Sequence, residues 1–172
     1  NIFFYQTALG IIGLAEQENK ITDLHFGPLT PVPAGYTIRE TEILREAKRQ
    51  LDDYLLGRRK VFNLPLAPAG TGFRLKVWRA LADIPYGETR SYKDIAQAIG
   101  HPRAARAVGQ ANNKNPLPVF IPCHRVIGAN GRLVGYGGGL EIKQRLLALE
   151  NGREIFNPGG AVGKIGGETK IC

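Results

Sequence analysis

Cys123 and His124 stand side by side in the stretch Pro122-Cys123-His124-Arg125-Val126, directly after the apolar run Val119-Phe120-Ile121. A thiol is the most nucleophilic ordinary side chain and imidazole is the usual group that deprotonates one, so the pair has the composition of a nucleophile with its base. The chain has only two cysteines and three histidines in 172 residues, which makes the juxtaposition stand out. Against it, free cysteines are among the most buried residues and mostly serve as packing, and neighbouring side chains in an extended segment point apart. On the dipeptide alone, inert packing is the better reading. Glu150 is a third candidate, because a carboxylate in the last turn of a predicted helix faces the negative end of the macrodipole. It is either a solvated surface charge or an acid that orients an imidazole. In a Cys-His-Glu relay it would stabilise His124 as the ring takes the thiol proton, which a free thiol with pKa about 8.5 gives up only slightly at neutral pH.

The elements that must position these residues fall into two groups. Short apolar runs at 2–5, 11–15 and 21–26 are separated by Ala8-Leu9-Gly10 and Glu18-Asn19-Lys20, a pattern for a small antiparallel meander. Pro28, Pro31, Pro33 and Gly35 make a loop. Thr37 and Glu40 have capping-box spacing, and Ile43, Leu44, Ala47, Leu51, Tyr54 and Leu55 then predict an amphipathic helix ending at Gly57. Residues 63–70, with Pro65, Pro68 and Gly70, read as a linker. The division expected is an N-terminal α/β domain with its linker over 1–70, a second domain over 71–156, and a mobile Gly-rich tail over 157–172.

In the second group Thr71 can cap a helix whose inner face is Phe73, Val77, Trp78, Leu81 and Ile84. Two short helices follow, 92–99 and 103 to about 113, joined by Gly100-His101-Pro102, with Ser91 and Asp94 starting the first and Pro102 at the head of the second. Such a pair reads as helix-turn-helix or as an ordinary helical hairpin in a core. Ala105 and Gly109 share a face where small side chains allow close approach, and Arg103 and Arg106 add charge beside it. A nucleic-acid groove asks for this, but so does packing on another helix. Gly128-Ala129-Asn130-Gly131 is a turn signal, with 133–136 as the returning strand of a β-hairpin wing. Leu140, Lys143, Leu146 and Leu147 pattern a last helix that reaches Glu150. The fold class expected is therefore α+β, a small antiparallel sheet with a helix followed by a helical, winged helix-turn-helix domain.

Composition narrows the partners. A net charge of +8 and a pI near 9.7 favour an anionic partner, nucleic acid before acidic lipid or protein. No apolar run is long enough to span a bilayer and no signal segment opens the chain, so an intracellular protein without a membrane partner is expected. Cys123 and Cys172 give no disulfide framework, and they are too few for a cysteine zinc site.

The run from Thr71 to Glu150 resembles the O6-alkylguanine-DNA alkyltransferases, the methylated-DNA-protein-cysteine methyltransferases. The resemblance rests on Phe73-Arg74 to Val77-Trp78, Ile84-Pro85-Tyr86-Gly87, Ser91-Tyr92, Arg106-Ala107-Val108-Gly109, Asn115-Pro116, Ile121-Pro122-Cys123-His124-Arg125-Val126-Ile127-Gly128, Gly135-Tyr136 and Leu146-Leu147-Ala148-Leu149-Glu150. These motifs form one ordered series over nearly half the chain. The N-terminal third matches more loosely, in element order only.

The resemblance implies that Cys123 accepts the alkyl group of O6-alkylguanine in duplex DNA and keeps it, one turnover per molecule, with O4-alkylthymine as a further substrate. His124 would activate Cys123 through a water, with Glu150 behind it, and Asn115 would hold the turn that positions the cysteine. Tyr136, with Gly137 and Pro118, would wall the base pocket. Tyr92 would crowd a phosphate and donate a proton to the departing purine. Arg106 would fill the stack left by the flipped nucleotide, while Ala105, Ala107 and Gly109 fit the minor groove beside Arg103. The resemblance implies a monomer with no cofactor and no metal, in the cytoplasm of a bacterium or archaeon or in a eukaryotic nucleus. Three other readings remain: a lesion binder without alkyl transfer, a winged-helix regulator with an incidental thiol, and a Cys-His hydrolase that turns over.

Overall fold

The computed structural model describes residues 1–156 and 162–164. Strands β1 (Ile2–Thr7), β2 (Gly10–Gln17) and β3 (Lys20–Phe26) form the expected antiparallel meander. The second hairpin turns on Glu18 and Asn19, whose φ angles are 52° and 59°, the positive pair that a two-residue turn requires. Ile12 and Leu14 of β2 are fully buried against helix α1 (Glu42–Leu55), whose inner face is Leu44, Ala47, Leu51, Tyr54 and Leu55.

The start of α1 differs from the expectation. Residues Thr37 and Glu40 form no capping box; the helix begins at Glu42, after Thr41, which makes no side-chain cap bond. The reason is that residues 37–39 run beside β1 instead, with the Ile2 N–H donating to the Thr37 carbonyl at 2.9 Å and the Arg39 N–H to the Ile2 carbonyl at 3.0 Å. The linker is also more than a spacer. Ile21 of β3 donates to the Pro65 carbonyl and accepts from the Ala67 N–H, both at 2.8 Å.

Thr71 caps α2 (Gly72–Ala82) by accepting from the Arg74 N–H, and Val77, Trp78 and Leu81 are buried. At Gly70 a Cβ would come within 2.6 Å of the Trp78 ring, so only glycine lets the linker cross the indole. A short strand β4 (Arg90–Ser91) leads into α3 (Tyr92–Ala98), where Ser91 and Asp94 complete the capping box that their spacing predicts. Helix α4 (Ala105–Asn113) starts two residues later than expected. Pro102 and Arg103 lie in the turn before it, which closes with the Ala104 N–H on the His101 carbonyl at 2.8 Å. The Trp78 indole N–H donates to the Ala111 carbonyl at 2.9 Å, tying α2 to α4.

A single 3-10 turn, Cys123–Arg125, precedes β5 (Val126–Ile127), which pairs in parallel with β4. Helix α5 (Leu140–Glu150) follows, then β6 (Glu154–Phe156) antiparallel to β7 (Val162–Lys164). The rest of the expected tail lies outside the described residues.

The wing is a correction. Its turn forms, with Gly128 N–H on the Arg132 carbonyl at 2.8 Å, but residues 133–136 make no returning strand. The carbonyls that would build the ladder are taken by side chains: the Lys143 ammonium donates to Val126 O at 2.6 Å and Val134 O at 2.9 Å, and the Tyr92 hydroxyl donates to Val134 O at 3.3 Å. The wing is a loop fastened by a buried lysine.

One hydrophobic core runs through both halves, from Leu51 and Tyr54 of α1 through Val77 and Trp78 of α2 to Cys123 and Leu146. The N-terminal sheet also touches the segment that leads to Cys123 directly, since Leu24 N–H of β3 donates to the Pro116 carbonyl at 2.8 Å. Replacing Ser91 with Ala removes the cap on α3, so the variant is expected to lose about 1 kcal/mol in urea unfolding. An unchanged midpoint would show that core packing alone holds α3.

Candidate active site

Cys123, His124 and Arg125 are successive residues of one 3-10 turn. At three residues per turn their side chains fan out around the axis rather than alternating, which removes the objection that neighbours point apart. The turn is held from behind. Cys123 N–H donates to the Ile121 carbonyl at 2.7 Å and Arg125 N–H to the Pro122 carbonyl at 3.0 Å. Asn115 Nδ2 donates to the same Ile121 carbonyl at 2.9 Å while its Oδ1 accepts from Leu117 N–H at 3.0 Å. Within this loop Val119 has φ 74°, a strained conformation for a β-branched residue, which persists only because its surroundings over-determine it.

The centre of the site is the Glu150 carboxylate, whose side chain is fully buried. Its Oε1 accepts from His124 Nε2 at 2.8 Å, from the Tyr54 hydroxyl at 2.5 Å and from Arg125 Nη2 at 2.9 Å. Its Oε2 accepts from Arg125 Nε at 3.0 Å and from the Gly87 N–H at 3.0 Å. Arg125 Nη1 reaches the Ile84 carbonyl at 2.5 Å. The odd position of an acid at the end of α5 is thus explained: donors from three other segments meet it there and outweigh the unfavourable dipole end.

These contacts set the protonation states. Burial acts to raise the Glu150 carboxyl, but its hydrogen bonds with His124, Arg125 and Tyr54 outweigh it and hold the group at about 2. Burial holds the His124 imidazole below its ordinary value against the pull of Glu150. With a neutral ring facing an ionised carboxylate, Nε2 carries the single proton and donates it to Glu150. Nδ1 then keeps its lone pair; it is buried and has no partner among the described residues. Such a nitrogen is the base the site offers. Burial pushes the Cys123 thiol up to about 11, partly offset by the Asn115 side chain and the charge of Lys143. The resting thiol is therefore protonated, and its proton has to leave as the new bond forms.

The remaining predicted residues divide by location. Tyr136 stands edge-on to His124, with ring centroids 6.4 Å apart, and its hydroxyl is buried without a partner among the described residues. Burial and then Cys123 raise the pKa of both Tyr136 and Tyr92, so these two phenols and the thiol share one locality. Pro118 is buried in the loop below, while Gly137 is exposed. Tyr92, at the start of α3, also lies 3.7 Å from where a Cβ on Gly109 would be, an ordinary packing distance, so this ring faces Gly109 on α4. Arg103, Arg106 and Ala107 are exposed and Ala105 half-buried on the outer side of the helix pair. The structure does not bring Arg103 or Arg106 into the Glu150 cluster. Among the described residues no cluster of His, Cys, Asp and Glu is placed to hold a metal ion.

Four participants escape the sequence reading of the site: Tyr54, Arg125, Gly87 and Lys143. Lys143 left a signal, a lysine in phase with the buried face of α5, and it is indeed fully buried. Tyr54 left none, because it reads as one more apolar position of α1.

The protonation states predict the pH dependence of stability. The Cys123 pKa rises from 9.0 to about 11 on folding, so the unfolded chain loses its proton first. Stability present below pH 9 is lost as pH rises toward 11, by at most about 3 kcal/mol. The slope in thermal unfolding should flatten in Cys123→Ala. On the acid side the lowered His124 and Glu150 both act in the other direction: stability falls below about pH 6.5 as the unfolded histidine takes its proton, and again from 4.5 toward about 2 as the buried carboxylate is protonated.

Comparison with known proteins places this geometry. Residues 72–152 match the family model "6-O-methylguanine DNA methyltransferase, DNA binding domain", and residues 3–68 match its "ribonuclease-like domain". The chain is 52% identical over 151 residues to the constitutive methylated-DNA–protein-cysteine methyltransferase of Bacillus subtilis, covering 84% of this chain and 92% of that one. It is 51% identical over 148 residues to the methylated-DNA–protein-cysteine methyltransferase of Methanosarcina barkeri, covering 84% and 93%. The crystal structure of Mycobacterium tuberculosis OGT in complex with DNA superposes with a TM-score of 0.80 at 43% identity, covering 87% of this chain and 91% of that one. The chain therefore belongs to the 6-O-methylguanine DNA methyltransferase family and is a DNA-binding enzyme of alkyl-transfer repair, a methylated-DNA–protein-cysteine methyltransferase.

Proposed function

We propose that Cys123 takes the alkyl group from O6-alkylguanine in duplex DNA, and from O4-alkylthymine, in a single irreversible turnover after the nucleotide has been flipped out. The observation that carries this reading is the thiol's setting: Cys123 is 3% exposed, beside an imidazole whose free nitrogen is Nδ1. A lesion inside a base stack cannot reach such a sulfur, so the base must leave the helix and enter the protein.

In the reaction Sγ bonds to the alkyl carbon as the bond from that carbon to the guanine oxygen breaks. The thiol proton passes to Nδ1 of His124, directly or through a water, and Glu150 stabilises the imidazolium through Nε2. The departing purine takes a proton from Tyr92, and the phenolate left behind recovers one from the His124 imidazolium through solvent, so the products are a thioether and an unmodified base with both side chains restored. A thioether has no proton to return and is a poor leaving group, which is why the protein acts once. Asn115 holds the loop, and Tyr136 with Pro118 and Gly137 walls the pocket.

On the DNA side the exposed Arg106 fills the vacated stack, with Ala105, Ala107 and Gly109 against the minor groove and Arg103 on the backbone. The protein acts as a monomer. Its bacterial and archaeal relatives support a cytoplasmic location, and no helix among the described residues is long and apolar enough to cross a membrane.

Intact mass after incubation with an O6-methylguanine duplex should rise by one methyl group and no more, and Cys123→Ala should gain none. An unchanged wild-type mass would favour a lesion binder without transfer. Arg106→Ala should slow repair of the duplex by about tenfold or more while leaving the reaction with free alkylated guanine nearly unaffected, because flipping costs a few kcal/mol only in the duplex. Equal slowing of both would remove the stack-filling role.

A further inference from the structure

The hydroxyl of Tyr54 lies where no DNA or substrate contact explains it. Tyr54 sits on α1 in the N-terminal half, with no exposed surface. Its oxygen is 2.5 Å from Glu150 Oε1 and 3.3 Å from His124 Nε2. The ring is packed by Phe62, at 5.1 Å between centroids, and edge-on by Tyr86 at 6.0 Å. Phenylalanine would fill the same space, and burying a hydroxyl is costly without a partner. The partners this hydroxyl has are the carboxylate and the imidazole of the relay.

We propose that Tyr54 is a positioning residue for alkyl transfer, through which the N-terminal half holds the His124–Glu150 pair in its working geometry. The proposal rests on the relay reading given above. The phenol donates to Oε1, the same oxygen that accepts from Nε2, so oxygen, carboxylate and imidazole form a closed triangle. That triangle fixes both the distance to Nε2 and the plane of the ring, and hence the direction of Nδ1. The phenol also adds a neutral donor to Oε1 beside Nε2 and the Arg125 guanidinium, which limits how strongly Glu150 favours a protonated ring.

The other groups around His124 are Cys123 and Arg125 on its own turn, Lys143 and Glu150 on α5 and Tyr136 in the loop before α5. Tyr86, between α2 and α3, packs on Tyr54 and lies 5.9 Å from the Arg125 guanidinium. None of these replaces the Tyr54 hydroxyl at Oε1, because Arg125 and Gly87 already occupy the other directions around the carboxylate. Without it, Oε1 keeps only Nε2 and the Arg125 guanidinium as donors and carries more charge toward the ring, so His124 should bind a proton at higher pH and hold Nδ1 less firmly.

The test uses the full chain and a short duplex carrying O6-methylguanine, with single-turnover rates measured at saturating protein across pH. Wild type must first gain one methyl; if it does not, the relay reading fails and the role of Tyr54 is not reached. Given that transfer, Tyr54→Phe should be folded, bind the duplex as wild type does, and react roughly tenfold more slowly at neutral pH, in the range that orientation of a general base commands. The acid limb of its profile, and the His124 imidazole followed by NMR, should both move to higher pH. Phe62→Leu loosens the same packing but keeps the hydroxyl, and should lower the melting temperature without moving the acid limb. An unchanged rate or an unchanged His124 titration in Tyr54→Phe overturns the proposal, as does the same shift in Phe62→Leu.

Discussion

The buried Glu150 carboxylate is the interaction on which the rest of the site depends. Taking a charge out of water costs several kcal/mol, and a lone buried carboxylate would protonate instead. Here it is kept ionised by Arg125, the Gly87 N–H, Tyr54 and His124. Those donors come from α1, from the connection between α2 and β4, and from the Cys123–Arg125 turn, while the acid itself ends α5. One functional group therefore fixes how four segments meet, and the nucleophile is a neighbour of two of them.

This arrangement resolves a conflict in the electrostatics. A thiol that must be shielded from water until a base arrives is driven toward its protonated form, and burial does drive Cys123 that way. An imidazole in the same cavity is driven toward neutrality. Each shift alone hampers ionisation. Together they leave a proton on sulfur and a neutral imidazole on the next residue, so that both groups rest uncharged. The ionised Glu150 lies against Nε2 of that ring, and Lys143, buried under the wing loop, supplies positive charge that favours the thiolate.

The N-terminal half takes part in this without contributing any group that sequence patterns mark as chemical. Its strand β3 bonds to Pro116 and its helix α1 delivers Tyr54. Phe26 of β3 packs on Tyr136 at 5.9 Å and lies within 2.9 Å of a Cβ position on Gly138, so the sheet also sets the depth of the loop that closes the site. A small domain of this kind is a wall of the active site as well as a stabilising partner.

The meander, α1, the capped helices α2 and α3 and the order of motifs ending in Glu150 were all legible in the sequence, because each follows from local rules: turn residues, helical spacing, caps and a nucleophile beside a base. Three local readings failed, two of them through competition from a distant group and one through a local turn. The helix expected near Thr37 starts at Glu42 because β1 claims the backbone of residues 37–39. Helix α4 starts after Pro102, in a turn closed by His101. The wing strand is absent because Lys143 and Tyr92 take its carbonyls. For the site, the sequence determined which residues are the candidates for the chemistry, Cys123, His124 and Glu150, since side-chain type sets what a group can do. Only the tertiary structure decided which nitrogen of His124 faces Glu150, why Glu150 tolerates the end of a helix, and that the Tyr54 hydroxyl meets the same carboxylate. Those outcomes depend on which donors converge on a single carboxylate, with Tyr54 and Glu150 separated by 96 positions in the chain, and no periodicity or motif records such a meeting.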